Sequence, residues 1–583
     1  MIRFAPRDVV EREEDALSET AKGSGRRLAN AAARGVASFA RAVRGPYYAV
    51  QAMGVRAPER LYVAPQDIRT ADPTVADEIY AGYFSFDGKV VETNGRSPFS
   101  IAPPSVAWRR SLAGFSWLRH LRAADRALAR ANARALVDEF LRTRTDFIDD
   151  PAYEPRIVAR RTLSFLAQSP ILLEGADQEF YERFMRALAR NIRFLLRAMG
   201  SERRASDRLL CAVALAAFGV CADAGRKFEM RATALLDAEL FRQILPDGGH
   251  IGRNPETPVE LLLDLLPLRQ AYAARGRRPP ERLTASIAAM ISFLRVLKHG
   301  DGSLALFNGM GQAPPDRLAT ILAHADASGA PILDAPHSGY RRLQAGAAAV
   351  VVDAGAPPPP IFSSAAHAGC LSFEFSIGAE RIIVNCGAPP AGSEALRRVA
   401  RSTAAHSTLV VEDRSSCRIE ARPGRGRPEE RIVAGPAQVK ASRRATATSH
   451  ELELSHDGYA RELGLLHERA LALAHDGSQL FGDDRLVALR HGARAEHFVL
   501  RFHLHPNVQA SAAGKRKVLL RSLGVDLVFE ANADVSVEES VFFAGPATAR
   551  KSAQIVVDGR GAKDAHLRWS FSRVDAESES ARV

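Results

Sequence analysis

His250, Arg253 and Asn254 lie within five residues in the stretch Gln243-Ile-Leu-Pro-Asp-Gly-Gly-His-Ile-Gly-Arg-Asn. An imidazole, a guanidinium and a carboxamide on a polar loop between two apolar helical runs could together clamp a carboxylate, and loops are where binding groups collect. The bland reading of the same residues is helix capping and loop contacts. Upstream, Ser206-Asp207-Arg208 sets a second guanidinium beside a carboxylate. Arg208 would attract an anion; a salt bridge from Asp207 to a neighbouring arginine is the structural alternative. Asp207, Asp247 and Glu256 are the acids from which a glycoside hydrolase would need a pair. His503 and His505 alternate along a strand with Arg501, a row on one sheet face that is more readily structural than ligating. No phosphate-binding loop, dinucleotide fingerprint, nucleophile elbow or HExxH pair occurs.

The elements that must position these groups change character along the chain. From about 111 to 325 apolar residues recur at steps of three and four. Trp117, Leu121, Ala124, Leu128, Ala131 and Ala135 predict one face of a long helix. Further helices are predicted near 155–175, 178–198, 206–224, 228–243, 259–275 and 282–299. Short breakers between helices of similar length imply antiparallel neighbours, hence an (α/α) toroid or solenoid. The stretch 330–360 is rich in Gly, Ala and Pro and reads as a connection. Beyond it short alternating runs begin: Leu371 to Ser376 and Arg381 to Asn385 as a strand pair, then runs at 407–412, 451–455, 497–504, 517–520 and 526–530. They predict an antiparallel β-sandwich. Basic, turn-rich 418–444 reads as an exposed loop, and Asp301 to Gly309 as a turn contributing to the floor of a cleft. The expected organisation is a basic arm (1–45), a helical domain (46–335) and a β domain (336–583), with a cleft between the last two.

With 583 residues, 46% hydrophobic and 25% charged, the chain is ordinary globular protein; a disordered, collagen-like or disulfide-scaffold reading is out. Five cysteines without a CxxC pair argue against a cysteine-based zinc ribbon, and Cys370 and Cys386 read as buried thiols. Only nine of the 79 basic residues behind the formal charge of +12 are lysine. Arginine forks suit carboxylate or sulfate, though an Ala- and Arg-rich genome would leave the same imprint. The basic residues are dispersed and no nucleic-acid-binding fold is recognisable, so nucleic acid is not an expected partner. The opening residues lack the apolar core of a secretion signal, and the longest apolar run, Leu209 to Ala222, is too short to span a bilayer. The expectation is a protein without an integral membrane span, in the cytoplasm. Oligomeric state stays open.

Six stretches then combine. Trp108-Arg-Arg-Ser-Leu-Ala-Gly-Phe-Ser-Trp-Leu-Arg, Tyr153-Glu-Pro-Arg-Ile-Val-Ala-Arg-Arg, the loop through His250, Ala366-His-Ala-Gly-Cys-Leu-Ser-Phe-Glu, Thr403-Ala-Ala-His-Ser-Thr and Arg501-Phe-His-Leu-His-Pro, with Ile383-Val-Asn-Cys-Gly between them, resemble in order the heparinase II/III-like polysaccharide lyases. The resemblance covers roughly residues 80–575. It implies an (α/α) toroid followed by a β-sandwich, an anionic polysaccharide as partner and a periplasmic setting as the alternative to the cytoplasm. It implies β-elimination at a uronic acid: donors neutralise the carboxylate, a base removes the C5 proton and an acid protonates the leaving oxygen.

On that resemblance the catalytic candidates are His250, Arg253, Asn254, Arg208, His367 and His406. His367, Asn385 and His406 fall where active relatives place a zinc-binding His, Asp and His. Two imidazoles and an amide form a poorer zinc site than two imidazoles and a carboxylate, so zinc stays an open cofactor and none is required. The alternative is that His367 and His406 hydrogen-bond across neighbouring strands and line the cleft. The sequence departs from the family where Glu256-Thr257-Pro258 replaces a catalytic tyrosine, where Ser206-Asp207 replaces an Asn-His pair, and at Ala365 and Gly369, which replace a His and an Asp. Tyr272, the nearest tyrosine, reads as packing. The departures leave two functional expectations: an active lyase, or a member that binds acidic polysaccharide without cleaving it.

Overall fold

A computed structural model describes residues 53–143, 150–312, 315–324, 332–390, 393–422, 429–493, 495–545, 549–560 and 565–574. The basic arm at 1–45 lies outside the described residues. Helices predominate from Thr74 to Ala323, interrupted by the hairpin Tyr83–Phe86 with Lys89–Glu92, and antiparallel strands predominate from Asp334 to Arg573, with short helices at Glu394–Ala400 and Ala460–Leu463.

Helix Gln178–Met199 shows why the first half is helical. The Asp177 carboxylate caps its start by accepting from the Phe180 N–H at 2.7 Å. Phe180, Phe184, Leu188, Ile192, Leu195 and Met199 then form the buried stripe. Helix Arg208–Cys221 is buried on all sides and packs against Pro155–Ala167, Gln178–Met199, Arg226–Gln243 and Glu256–Ala274. The apolar run ending at Ala222 is therefore a core helix, and among the described residues no helix is long and apolar enough to cross a membrane. Tyr272 is buried, its hydroxyl 2.7 Å from that of Thr233.

The single long helix expected around Trp117 to Ala135 is two, and a third, Val106–Gly114, precedes them. Val106–Gly114, Leu118–Ala124 and Ala127–Arg142 are separated by left-handed backbone at Phe115 (φ 57°) and Asp125 (φ 42°). The turn at Asp125 rotates the apolar stripe, so Leu128 is exposed while Ala133, Leu136, Val137 and Phe140 are buried.

Most of the described strands of the second half fall into two large sheets. One runs, edge to edge, Val535–Phe542, Arg550–Arg560, His497–Leu504, Glu380–Val384, Phe373–Ile377, Ala348–Asp353, Tyr340–Ala345 and Asp334–Ala335, with Leu409–Val411 also paired to His497–Leu504. The other runs Val439–Ala445, Ser449–His456, Leu465–Ala474, Gln479–Ala488, Ala565–Arg573, Val525–Ala531, Lys517–Ser522 and Gln509–Ala512. Phe373 of the first sheet stacks on Trp569 of the second, centroids 5.5 Å apart, within a core that includes Phe502, Phe529 and Phe571. A buried polar knot sits in that core: Asp484 accepts from Arg469 Nε (2.8 Å), His467 Nε2 (2.8 Å) and Trp569 Nε1 (2.9 Å).

Two connections expected from composition are strands. Within 330–360, Tyr340–Ala345 and Ala348–Asp353 form a hairpin inside the first sheet. Basic 418–444 supplies a separate hairpin, Arg418–Arg422 with Glu429–Ala434, and the edge strand Val439–Ala445. In the row of Arg501, His503 and His505 the middle residue has a structural role. His503 is buried, donating from Nε2 to Ala404 O (2.9 Å) and accepting at Nδ1 from Ser540 Oγ (2.8 Å), and burial holds it neutral, its pKa down at about 3.

Candidate functional site at the junction of the two halves

The two halves meet through buried polar clasps. The Pro246-Asp-Gly-Gly turn is one of them. A Cβ on Gly248 (φ 90°) would come 2.0 Å from Ala289 O, and one on Gly249 1.8 Å from Ser338 Oγ, so both positions require glycine. Asp247 reaches from this turn into the second half, accepting from Ser338 N–H (2.7 Å) and Ser338 Oγ–H (2.5 Å). As a junction clasp it is not the free carboxylate that a hydrolase pair needs.

Arg253 is the second clasp. Its five N–H groups all donate: Nε to Ser338 O (2.8 Å), Nη1 to Gly355 O and Ala356 O (2.9 and 3.0 Å), Nη2 to Gly339 O (3.3 Å) and to the Asp353 carboxylate. The guanidinium also lies over the Tyr340 ring, 5.0 Å from its centroid. Burial works against the charge, yet Asp353 holds its pKa above the ordinary range. Asn308 joins the cluster, its Nδ2 donating to Tyr340 Oη and Asp353 Oδ2 at 2.9 Å each, and Tyr340 Oη–H donates to Arg253 O (2.5 Å). Arg253 is thus a junction residue with no donor left for a ligand carboxylate, which corrects its expected role as a clamp.

His250 is buried, with Phe362 edge-on at 5.9 Å between centroids. Its Nδ1 accepts from Gly252 N–H (2.9 Å), which leaves Nε2–H to donate to Gln243 Oε1 (3.2 Å). Burial lowers its pKa to about 4, so it is neutral and cannot offset a substrate's negative charge at neutral pH. Asn254 accepts at Oδ1 from Glu256 N–H (2.8 Å), the turn that starts helix Glu256–Ala274. Its Nδ2 is 3.2 Å from where a Gly309 Cβ would stand, and Ala365 O is 2.5 Å from the same point. Asn254, Gly309 and Ala365 therefore crowd together from three distant parts of the chain. Arg208 begins its own helix and donates to Ser201 O (3.0 Å).

On the β side, His406 Nδ1 donates to Ser402 O (2.7 Å), so in the neutral ring Nε2 carries the lone pair. That lone pair accepts from His367 Nδ1 at 3.1 Å, and His367 N–H donates to Asn308 Oδ1 (3.3 Å). Both rings are buried. Burial lowers the pKa of His406 to about 4, and burial with His406, Arg401 and Arg397 nearby takes that of His367 well below its ordinary value. His367 Nε2 is the one ring nitrogen of the pair without a hydrogen-bond partner among the described residues.

Asn385 points elsewhere. Its Oδ1 accepts from Ser407 N–H (3.0 Å) and its Nδ2 donates to Glu374 Oε1 (3.3 Å). With the His406 lone pair engaged by His367, these three do not present a zinc ligand set, and among the described residues no three His, Cys, Asp or Glu side chains are grouped for a metal. Gly369 fits the same picture: a Cβ there would come 2.6 Å from His406 Cδ2, so an aspartate could not enter without moving that ring.

Glu374, Tyr340, Asp353 and Gln243 complete the junction, and no spacing rule singles them out. Glu374 is fully buried and accepts from His299 Nε2 (3.0 Å) and Leu306 N–H (3.0 Å) of the first half, and from Arg381 Nη2 (2.8 Å) and Asn385 N–H (3.0 Å) of the second. Burial alone would raise its pKa; Arg381 and the His299 contact outweigh that and hold it at about 2.

A helical half clasped to a two-sheet β half, with histidines from both near the seam, is the architecture of the polysaccharide lyases that pair a helical domain with a β-sandwich. Residues 327–570 match the family described as Heparinase II/III-like, C-terminal. The chain is 34% identical over 541 residues to the FtsZ-localized protein C of Caulobacter vibrioides, covering 89% of this chain and 91% of that one. Among solved structures it resembles a heparinase III (TM-score 0.68, 13% identity, 92% of this chain and 90% of that). It also resembles the heparan sulfate lyase HepC of Pedobacter heparinus (TM-score 0.57, 16% identity, 91% and 88%). At these identities the structures speak for the fold. The chain belongs to the heparinase II/III-like family.

Proposed function

We propose that this chain is a family member that binds acidic polysaccharide without cleaving it and works where FtsZ gathers. The observation that carries the reading is Arg253: all five of its N–H groups are engaged across the junction, and its neighbour His250 is neutral. β-Elimination needs donors aimed at a carboxylate as charge develops on it, the term that usually dominates such catalysis. The replacement of the family's tyrosine by Glu256-Thr257-Pro258 supports the same reading. The cell-division setting comes from the relative named for its localisation with FtsZ.

Purified full-length protein is incubated with heparin, heparan sulfate, alginate and polygalacturonate while the ultraviolet absorbance of an unsaturated uronate is followed. A fluorescent fusion is imaged with FtsZ in a host that carries both. No absorbance rise, measurable binding to at least one polysaccharide and co-localisation are expected. A sustained rise that His367→Ala abolishes would overturn the non-cleaving reading, and a diffuse fusion would overturn the FtsZ setting.

One observation favours the alternative, an eliminating lyase. His367 Nε2 has a lone pair whose ring is oriented by His406, the arrangement of a general base. In that reading Nε2 takes the C5 proton, the electron pair forms the C4–C5 double bond, and the C4–O bond breaks as the leaving oxygen is protonated.

A further inference from the structure

The short helix Glu394–Ala400 lies on the β side of the junction and carries Arg397 and Arg398, with Arg401 at its end. Two of these arginines have an acidic partner. Arg398 is paired with Glu430. Arg401 is buried, donates from Nε to Ala366 O (2.9 Å) and from Nη2 to Ser363 O (3.0 Å), and has Glu430 3.5 Å from Nη1. Arg397 differs. It is exposed, it donates from Nη2 to Ser364 O (2.9 Å), and no carboxylate among the described residues pairs with it. Leu396 and Val399 are exposed beside it, so this side of the helix faces solvent.

The bond to Ser364 fixes where the open donors of Arg397 stand. Ala365, the next residue, packs against Gly309 with Asn254 Nδ2 alongside. His367 follows two positions later. After burial and His406, the charges of Arg401 and Arg397 are what lower the pKa of His367, so the exposed guanidinium stands near that ring. His367 Nδ1 is engaged by His406, and its Nε2 has no hydrogen-bond partner among the described residues. An open guanidinium and an open imidazole lone pair thus share one rim. The first calls for an anion with two acceptor oxygens in a plane, which a carboxylate supplies to an arginine fork. The second calls for a hydroxyl donor. A uronate unit carries both.

We infer that Arg397 holds the carboxylate of a uronate unit at the rim of the junction while His367 Nε2 accepts from a hydroxyl of the same unit. In the non-cleaving reading proposed above, on which this rests, Arg397 is the contact that binds. Donors that drive elimination act in a water-excluded site; Arg397 lies in water, where the same contact is screened and serves affinity.

Binding of polygalacturonate to the full-length protein tests this. Arg397→Ala is expected to weaken it about tenfold, the size of one hydrogen bond to a charged group. Arg398→Ala removes an equal charge one residue away and should change it less than about twofold, as for an exposed ion pair. Arg397→Lys keeps the charge without the fork and should recover part of the loss. Digalacturonate should shift the ring nitrogen resonances of His367. A His367 that stays unmoved while polymer binds would place the anion elsewhere and overturn the assignment. Equal losses on polygalacturonate and on dextran sulfate would overturn the choice of carboxylate. Equal binding by wild type and Arg397→Ala would overturn the role of Arg397 and leave the binding reading standing, whereas a wild type that binds no acidic polysaccharide would overturn both.

Discussion

Arg253 of the helical half and Asp353 of the β half form a buried ion pair in which the arginine also satisfies four backbone carbonyls of the second half. Removing one member leaves the other charge buried and alone, which costs about 3–5 kcal/mol. Asp353→Ala is therefore expected to lower the urea midpoint sharply. The more telling readout is proteolysis, because the pair bridges the two halves: cleavage should appear at the 246–254 and 353–357 loops before either half unfolds. A variant as protease-resistant as the wild type would show that the pair does not hold the junction.

Glu374 gives a signed dependence on pH. Its folded pKa of about 2 lies below the ordinary value of 4.5. The stabilisation it brings is therefore complete above pH 4.5 and is lost as pH falls toward 2. The shift corresponds to about 3 kcal/mol. Glu374→Gln should lose about that much at pH 7 and flatten the acid limb of stability against pH between 4.5 and 2. An unchanged acid limb would mean the hub is not ionised.

The histidines act over a higher window. His250 and His406 have folded pKa values of about 4 against an ordinary 6.5. Between those values the unfolded chain binds protons that the folded chain refuses, so stability falls as pH drops from 6.5 to 4 and then levels off for these two groups. Urea midpoints measured across that range should decline, with a shallower slope for His406→Gln. Ring nitrogen chemical shifts should show His406 and His367 protonated at Nδ1 near neutral pH, with no titration above pH 5. Titration of either ring near 6.5 would contradict the buried relay.

The helical half was legible because burial there follows the 3.6-residue repeat, as in the stripe from Phe180 to Met199. Where a single left-handed residue breaks the repeat, at Asp125, the pattern runs on and one helix is read in place of two. The strands Tyr340–Ala345 and Ala348–Asp353 escaped for a different reason. Every residue from Ala348 to Asp353 is buried, so no alternation marks the strand, and small residues surround it. That omission hid Tyr340 and Asp353, and with them the partners that decide what Arg253 does. His250, Arg253, Asn254, His367 and His406 were legible as residues at a shared junction. Their roles were not, because hydrogen bonds between residues a hundred positions apart have no local signature.

Gly369 offers a direct test of whether the relay or a metal site is the native arrangement. If the family's acid were simply missing, Gly369→Asp should assemble a zinc site with His367 and His406. The structure leads to the opposite expectation, because the new Cβ would stand 2.6 Å from His406 Cδ2 and 3.1 Å from its Cγ and Nε2. Overpacking of this kind costs about 1–3 kcal/mol. The ring cannot retreat without giving up Ser402 O on one side and His367 on the other. The variant should therefore unfold at lower urea and show no tighter zinc binding than the wild type in a titration with a chelating indicator. A stoichiometric gain in zinc affinity without loss of stability would mean that the two rings are free to reorient.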